Sequence, residues 1–152
     1  MNTLHIAVAS FDPNCVQYYC DQTDNIDERN VDCHTSLQSI FMPDNLDKAN
    51  NNPDDTNQII KILLEAGANP NLFTETFGTV LPEYIYLCKE DECFTLLEYA
   101  IFCFNDKYTT LLLLNHGASI TEFIQENMNK MSDEVREALD EHNAMYHHGF
   151  KR

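Results

Sequence analysis

Ile59-Ile60-Lys61-Ile62-Leu63-Leu64-Glu65-Ala66-Gly67-Ala68-Asn69-Pro70-Asn71 is the stretch on which the fold turns. Leu111-Leu112-Leu113-Leu114-Asn115-His116-Gly117-Ala118-Ser119-Ile120 repeats its plan. Each is an apolar helical run that halts at Gly-Ala three residues after a Leu-Leu pair. A glycine just beyond a helix can adopt the left-handed conformation that closes off the last carbonyls. The same stop used twice predicts a structural repeat. Stacked repeats bury a shared core and expose long surfaces, so they bind partners far more often than they catalyse.

The bulk properties fit that expectation. The chain has 152 residues, 43% of them hydrophobic, enough for one domain with a real core. Nine basic residues against 25 acidic ones give a formal net charge of −16. Such a charge repels phosphate, which argues against nucleic acid and anionic membrane as partners and favours a basic protein surface. No apolar run approaches the roughly 20 residues of a membrane span. The opening Met1-Asn2-Thr3-Leu4-His5-Ile6-Ala7-Val8-Ala9-Ser10 lacks the positive start of a signal peptide. Six cysteines, at 15, 20, 33, 88, 93 and 103, are read as reduced thiols of a cytoplasmic protein.

A second phrase precedes each apolar run. It reads Asn2-Thr3-Leu4-His5-Ile6-Ala7, then Thr35-Ser36-Leu37-Gln38-Ser39-Ile40, then Thr95-Leu96-Leu97-Glu98-Tyr99-Ala100, and Thr35 follows Asn2 by 33 residues. The spacing and the phrases resemble the ankyrin repeat, with its 33-residue period and Thr-Pro-Leu-His-x-Ala signature. The resemblance spans residues 1–121. His5 keeps the signature histidine, while Gln38 and Glu98 replace it in the later units.

The resemblance implies an all-α fold, an ankyrin-repeat solenoid of helical hairpins. Repeat 1 covers 1–33 and repeat 2 covers 34–71, with a loop insertion at 42–57. A finger insertion follows at 72–94, repeat 3 covers 95–121, and C-terminal capping helices occupy 122–146. The 42–57 insertion is polar, holds two prolines and shows no apolar period, so it reads as loop. The 72–94 insertion is aromatic and β-branched, and reads either as a hairpin or as a helix after Pro82. Ser132 should cap a final helix with Asp133 and Glu134 in its first turn. Residues 146–152 read as a frayed tail. Leu4, Ile6 and Ala7 should pack on Leu37 and Ile40, and on into Leu63, Leu64, Leu97 and Ala100.

The resemblance also assigns roles. His5 should hydrogen-bond to backbone between units, and the threonine of each phrase should cap the first helix. Partner binding in such proteins uses the finger tips and the exposed side of the first helices. Carried over, those positions are Asp32 and His34, then Asp91, Glu92 and Phe94, with Phe102 and Cys103 on the third first helix and Ala9, Ser10, Met42 and Pro43 on the earlier ones. Asn71 ends its phrase as does the asparagine that hydroxylases modify in ankyrin fingers.

Other chemistry finds less support in the residues. Cys15 and Cys20, Cys88 and Cys93, and the pair Cys33-His34 stand at spacings marginal for zinc. Buried thiols behaving as small hydrophobes account for them better. A Cys–His nucleophile would need His34, His116 or His142 as base, and nothing local supports one. Only four glycines occur, none close to another, so no phosphate-cradling loop exists. The expectation is a monomeric, non-enzymatic protein-interaction module without cofactor or metal. Small ankyrin proteins of intracellular bacteria and viruses look similar and act as effectors in a host cell. The rival expectations are a Cys–His enzyme on the same scaffold and a self-associating structural module.

Overall fold

The backbone turns at Gly67 and Gly117 do what their sequence context demands. Gly67 has φ +103° and Gly117 has φ +95°. The Ala68 N–H donates to Leu63 O at 3.0 Å and the Gly67 N–H to Leu64 O at 3.0 Å. The corresponding bonds from Ala118 to Leu113 and from Gly117 to Leu114 are 2.9 and 3.1 Å. This is the six-to-one and five-to-two pairing of a Schellman ending, used twice.

The computed structural model describes residues 3–30, 34–41, 43–71 and 95–150. The insertion at 72–94 lies outside them. The described elements run α1 (Thr3–Ser10), α2 (Pro13–Cys20), α3 (Ser36–Ser39), α4 (Pro43–Asn51), α5 (Pro53–Glu65), α6 (Leu96–Tyr99), a wide helical turn (Ala100–Phe104), α7 (Lys107–Asn115), α8 (Glu122–Glu126), a short 3-10 turn (Met128–Lys130) and α9 (Asp133–Phe150). Among the described residues there is no strand.

Helices α2, α5, α7 and α9 pack in succession, each against the next. Helices α1 and α3 pack together in front of α2 and α5, and α6 packs on α7. The Phe41 ring after α3 meets Phe104 edge-to-face at 5.2 Å, which joins α3 to the wide turn. The core runs along the seam between these two series. It holds Leu4 and Val8, Leu37 and Ile40, Ile59 and Leu63, Leu97 and Ile101, Leu113, and finally Val135 and Leu139. Each of these large side chains gains roughly 1.5–3 kcal/mol from leaving water.

Caps decide where the helices begin. Thr35 and Thr95 each accept the N–H three residues on, from Gln38 and Glu98, and each residue's own N–H donates back to that side chain, making two capping boxes. Asp12 and Asp106 cap α2 and α7, and Thr121 caps α8. Ser132 accepts the Val135 N–H at 3.3 Å, as expected, with Asp133 and Glu134 in the first turn of α9.

Three expectations are corrected. Of the 42–57 insertion, residues 43–57 are not a loop, because α4 and the first turn of α5 occupy them on either side of Asn52. The prolines that suggested a loop sit at helix starts, where the missing N–H costs nothing. Pro53 then keeps the two helices apart by forcing Asn52 out of the helical region, to φ −133° and ψ 63°. Helix α4 is anchored by Ala49, which is fully buried, and by Lys48 Nζ donating to Ala9 O at 3.0 Å. Ile6 is not core but 57% exposed. It lies two positions from both Leu4 and Val8, hence on the far side of α1, and Val8 takes its place inside. Residues 146–150 are not a frayed tail but continue α9.

The third first-helix is one residue longer than the first. Phe11 and Asn105, the residues that leave these helices, have positive φ values of 55° and 56°. Asn105 stands 10 residues after Thr95, whereas Phe11 stands 9 after Asn2. The wide turn absorbs the extra residue, with the Asn105 N–H reaching back five residues to Ala100 O at 2.8 Å.

Candidate functional site

Three residues hold the same place in the three opening phrases, and each is buried: His5, Gln38 and Glu98. His5 Nε2 donates to the His34 carbonyl at 2.9 Å, directly before the Thr35 cap. This is the backbone bond between units expected of it. Gln38 Oε1 accepts the Thr35 N–H at 2.9 Å. Glu98 spans more, since Oε1 accepts the Thr95 N–H at 2.8 Å and Oε2 accepts the Thr121 hydroxyl at 2.5 Å. A carboxylate can be buried when charge-assisted hydrogen bonds replace its water.

A second line of polar bonds joins the helix exits. The Asn69 N–H donates to Asp27 Oδ1 at 3.0 Å, linking the exits of α2 and α5. Asn71 Nδ2 donates to Gly117 O at 3.0 Å, and Asn71 Oδ1 accepts the Ser119 N–H at 2.9 Å, linking the exits of α5 and α7. One carboxamide thus replaces a peptide group across the gap. The exit of α2 lacks glycine, and there the Thr23 hydroxyl donates to Tyr19 O at 2.7 Å.

The partner-binding strip expected from the sequence is only partly described. Asp32, Asp91, Glu92 and Phe94 lie outside the described residues, as does Met42. Cys103 falls within the wide turn, its side chain outside the described set. His34 and Phe102 are buried. The Phe102 ring packs edge-to-face on Phe123 at 5.7 Å, which ties the wide turn to α8. Its area is therefore spent inside the fold and not on an open surface. Ser10 is exposed and its hydroxyl donates to Ala7 O at 2.6 Å.

The cysteine chemistry narrows too. Burial, helped by the charge of Asp21, pushes the Cys20 thiol up to about 11. A thiol so raised is protonated at neutral pH and is a poor nucleophile. Among the described residues no group of three His, Cys, Asp or Glu side chains could hold a metal ion. Among them, too, no helix is long and apolar enough to cross a membrane.

One concavity was not legible in the sequence. It is a groove of about 880 Å³ across the outer sides of α2, α5 and α7. Its walls carry side-chain amides, and Tyr108 stands beside it 68% exposed. The exposed positions of three separate helices meet there, and only the packing order brings them together. The polar sides of 53–65 and 107–115 were the available signal, and solvated helix faces explain such sides equally well. Near the last helix, Lys107 Nζ bonds Glu137 and Glu141 at 3.0 and 3.3 Å, and these bonds raise its pKa.

No known protein family, curated protein or solved structure matches the chain.

Proposed function

We propose that the chain is a small ankyrin-like repeat module that acts without catalysis, by recognising a partner protein. The observation that carries this reading is the recurrence of one construction. A capped first helix, a buried polar residue in a fixed place, a second helix and a Gly-Ala exit recur along the chain, and side chains bond each unit to the next. Repetition of that kind builds extended surfaces in place of a single closed pocket. The charge of −16 favours a partner with a basic face, because opposite potentials speed encounter.

Asp32, Asp91, Glu92 and Phe94 remain the proposed contacts of the finger strip. The acids steer the partner and the aromatic ring supplies desolvated contact. Affinity capture with mass spectrometry identifies the partner, and surface-bound kinetics then test the strip. Asp91→Lys with Glu92→Lys is expected to lower the association rate and flatten its dependence on salt. Phe94→Ala is expected to raise mainly the dissociation rate. Wild-type kinetics in both variants would remove the strip from the account.

A further inference from the structure

The groove over α2, α5 and α7 has a wall chemistry that selects an occupant. Five carboxamides line it: Asn14 and Gln17 on α2, Asn57 and Gln58 on α5, and Asn115 on α7. Three helices thus each contribute at least one. Asn57 is held in place by the Thr109 hydroxyl at 2.8 Å. The floor is partly apolar, with Ile62, Leu111 and Leu112 half-buried and the Tyr108 ring open to solvent. The charges are Asp54 and Glu65 against Lys61. Asp21, bonded by Gln17 Nε2 at 3.0 Å, adds a further carboxylate beside it. Helix α2 carries no cation, and the cation of α7, Lys107, is engaged by Glu137 and Glu141.

We propose that this groove binds an extended basic segment of a partner protein. A side-chain amide offers both a donor and an acceptor, as a peptide group does, so amides can pair with a backbone whatever its side chains. Neighbouring packed helices lie about 8–10 Å apart. An extended chain advances about 3.3 Å per residue. Amides on successive helices therefore meet a strand about every third residue, and three helices accommodate about six or seven residues. Alternate side chains of such a strand face Ile62 as it crosses α5 and then Leu111, Leu112 and Tyr108 as it crosses α7, and its Lys or Arg residues reach Asp54 and Glu65. Acidic peptides and phosphate backbones are repelled by the same carboxylates and by the charge of the whole chain. The groove lies on the α2–α5–α7 series, and its use rests on the reading of the chain as a recognition module.

Selection from a random octapeptide library displayed on phage tests the proposal, with the full chain as bait. The expected result is enrichment of peptides with net positive charge and alternating apolar residues. A fluorescein-labelled synthetic copy of an enriched peptide should lose roughly tenfold in affinity against Gln58→Ala/Asn115→Ala, and again against Asp54→Lys/Glu65→Lys. These positions are exposed, so melting temperatures should stay near wild type. Methylating alternate backbone nitrogens of the peptide should weaken it to a similar degree. Enriched peptides that lack Lys and Arg, or that bind both variants within twofold of wild type, overturn the proposal. If those peptides instead lose binding to Asp91→Lys/Glu92→Lys, the recognition reading survives and the groove does not. No enrichment against the wild-type chain counts against both.

Discussion

His5 near the start of the molecule and Glu98 in its third unit hold the same place in the same phrase, yet they join their units by different chemistry. His5 Nε2 donates a hydrogen bond to the His34 backbone carbonyl, so this bond depends only on where the next unit's chain passes. Glu98 accepts from its own cap, Thr95, and from the Thr121 hydroxyl, so its bond depends on a particular side chain 23 residues on. An imidazole ring and a buried glutamate side chain answer one geometric need, a polar atom directed at the next unit. The carboxylate does so at greater risk. A charge without partners in the interior is far costlier than an unpaired ring nitrogen.

That contrast orders the expected effects of substitution. Glu98→Ala should be the most damaging single change in this set, at about 3 kcal/mol, because it strands the Thr95 N–H and the Thr121 hydroxyl together. Urea unfolding of the purified variant measures it, and a loss under about 1 kcal/mol would mean that these bonds do not matter to the fold. Gly67→Ala and Gly117→Ala should each lose about 1–2 kcal/mol by the same method, from forcing a Cβ into positive φ. An added Cβ meets nothing within 4 Å at either site, so the two losses should be alike and purely a backbone cost. Gln38→Ala should lose about 1 kcal/mol, since it opens one capping box without exposing a charge.

The last effect is a matter of pH and is absent at neutrality. The Cys20 thiol is raised from 9.0 to about 11 in the folded chain. Folding therefore favours the protonated thiol, and its contribution is complete below about pH 9 and fades as the pH rises toward 11. Thiol alkylation at pH 8 should accordingly modify the half-buried Cys15 before the buried Cys20. Equal rates in the native chain would place Cys20 on the surface.

The parts of the fold that repeat a local signal are legible in the residues themselves. Gly67 and Gly117 announce left-handed turns because few other residues accept them. Thr35, Thr95 and Ser132 announce caps because the acceptor lies three residues from its donor. Residues 42–57 misled because proline marks a helix start as readily as a break, and only the burial of Ala49 against its neighbours tells the two apart. Ile6 misled because an eight-residue helix leaves little pattern from which to assign an inner side. For the candidate sites the gap is wider. The interior role of Phe102 depends on Phe123, and the bridge from Asn71 depends on Gly117 and Ser119. The amide groove needs three helices in order, and no local spacing encodes that.

The central claim is that the buried residues of the first and third opening phrases, His5 and Glu98, bind their units to the next. A double-mutant cycle across Glu98 and Thr121 tests it most directly, with Glu98→Gln, Thr121→Val and the pair compared by urea unfolding. Because Glu98 Oε2 and the Thr121 hydroxyl are joined at 2.5 Å, a coupling of about 1 kcal/mol or more is expected. Single losses that add to within about 0.3 kcal/mol would contradict it, leaving the two residues as independent caps of separate helices.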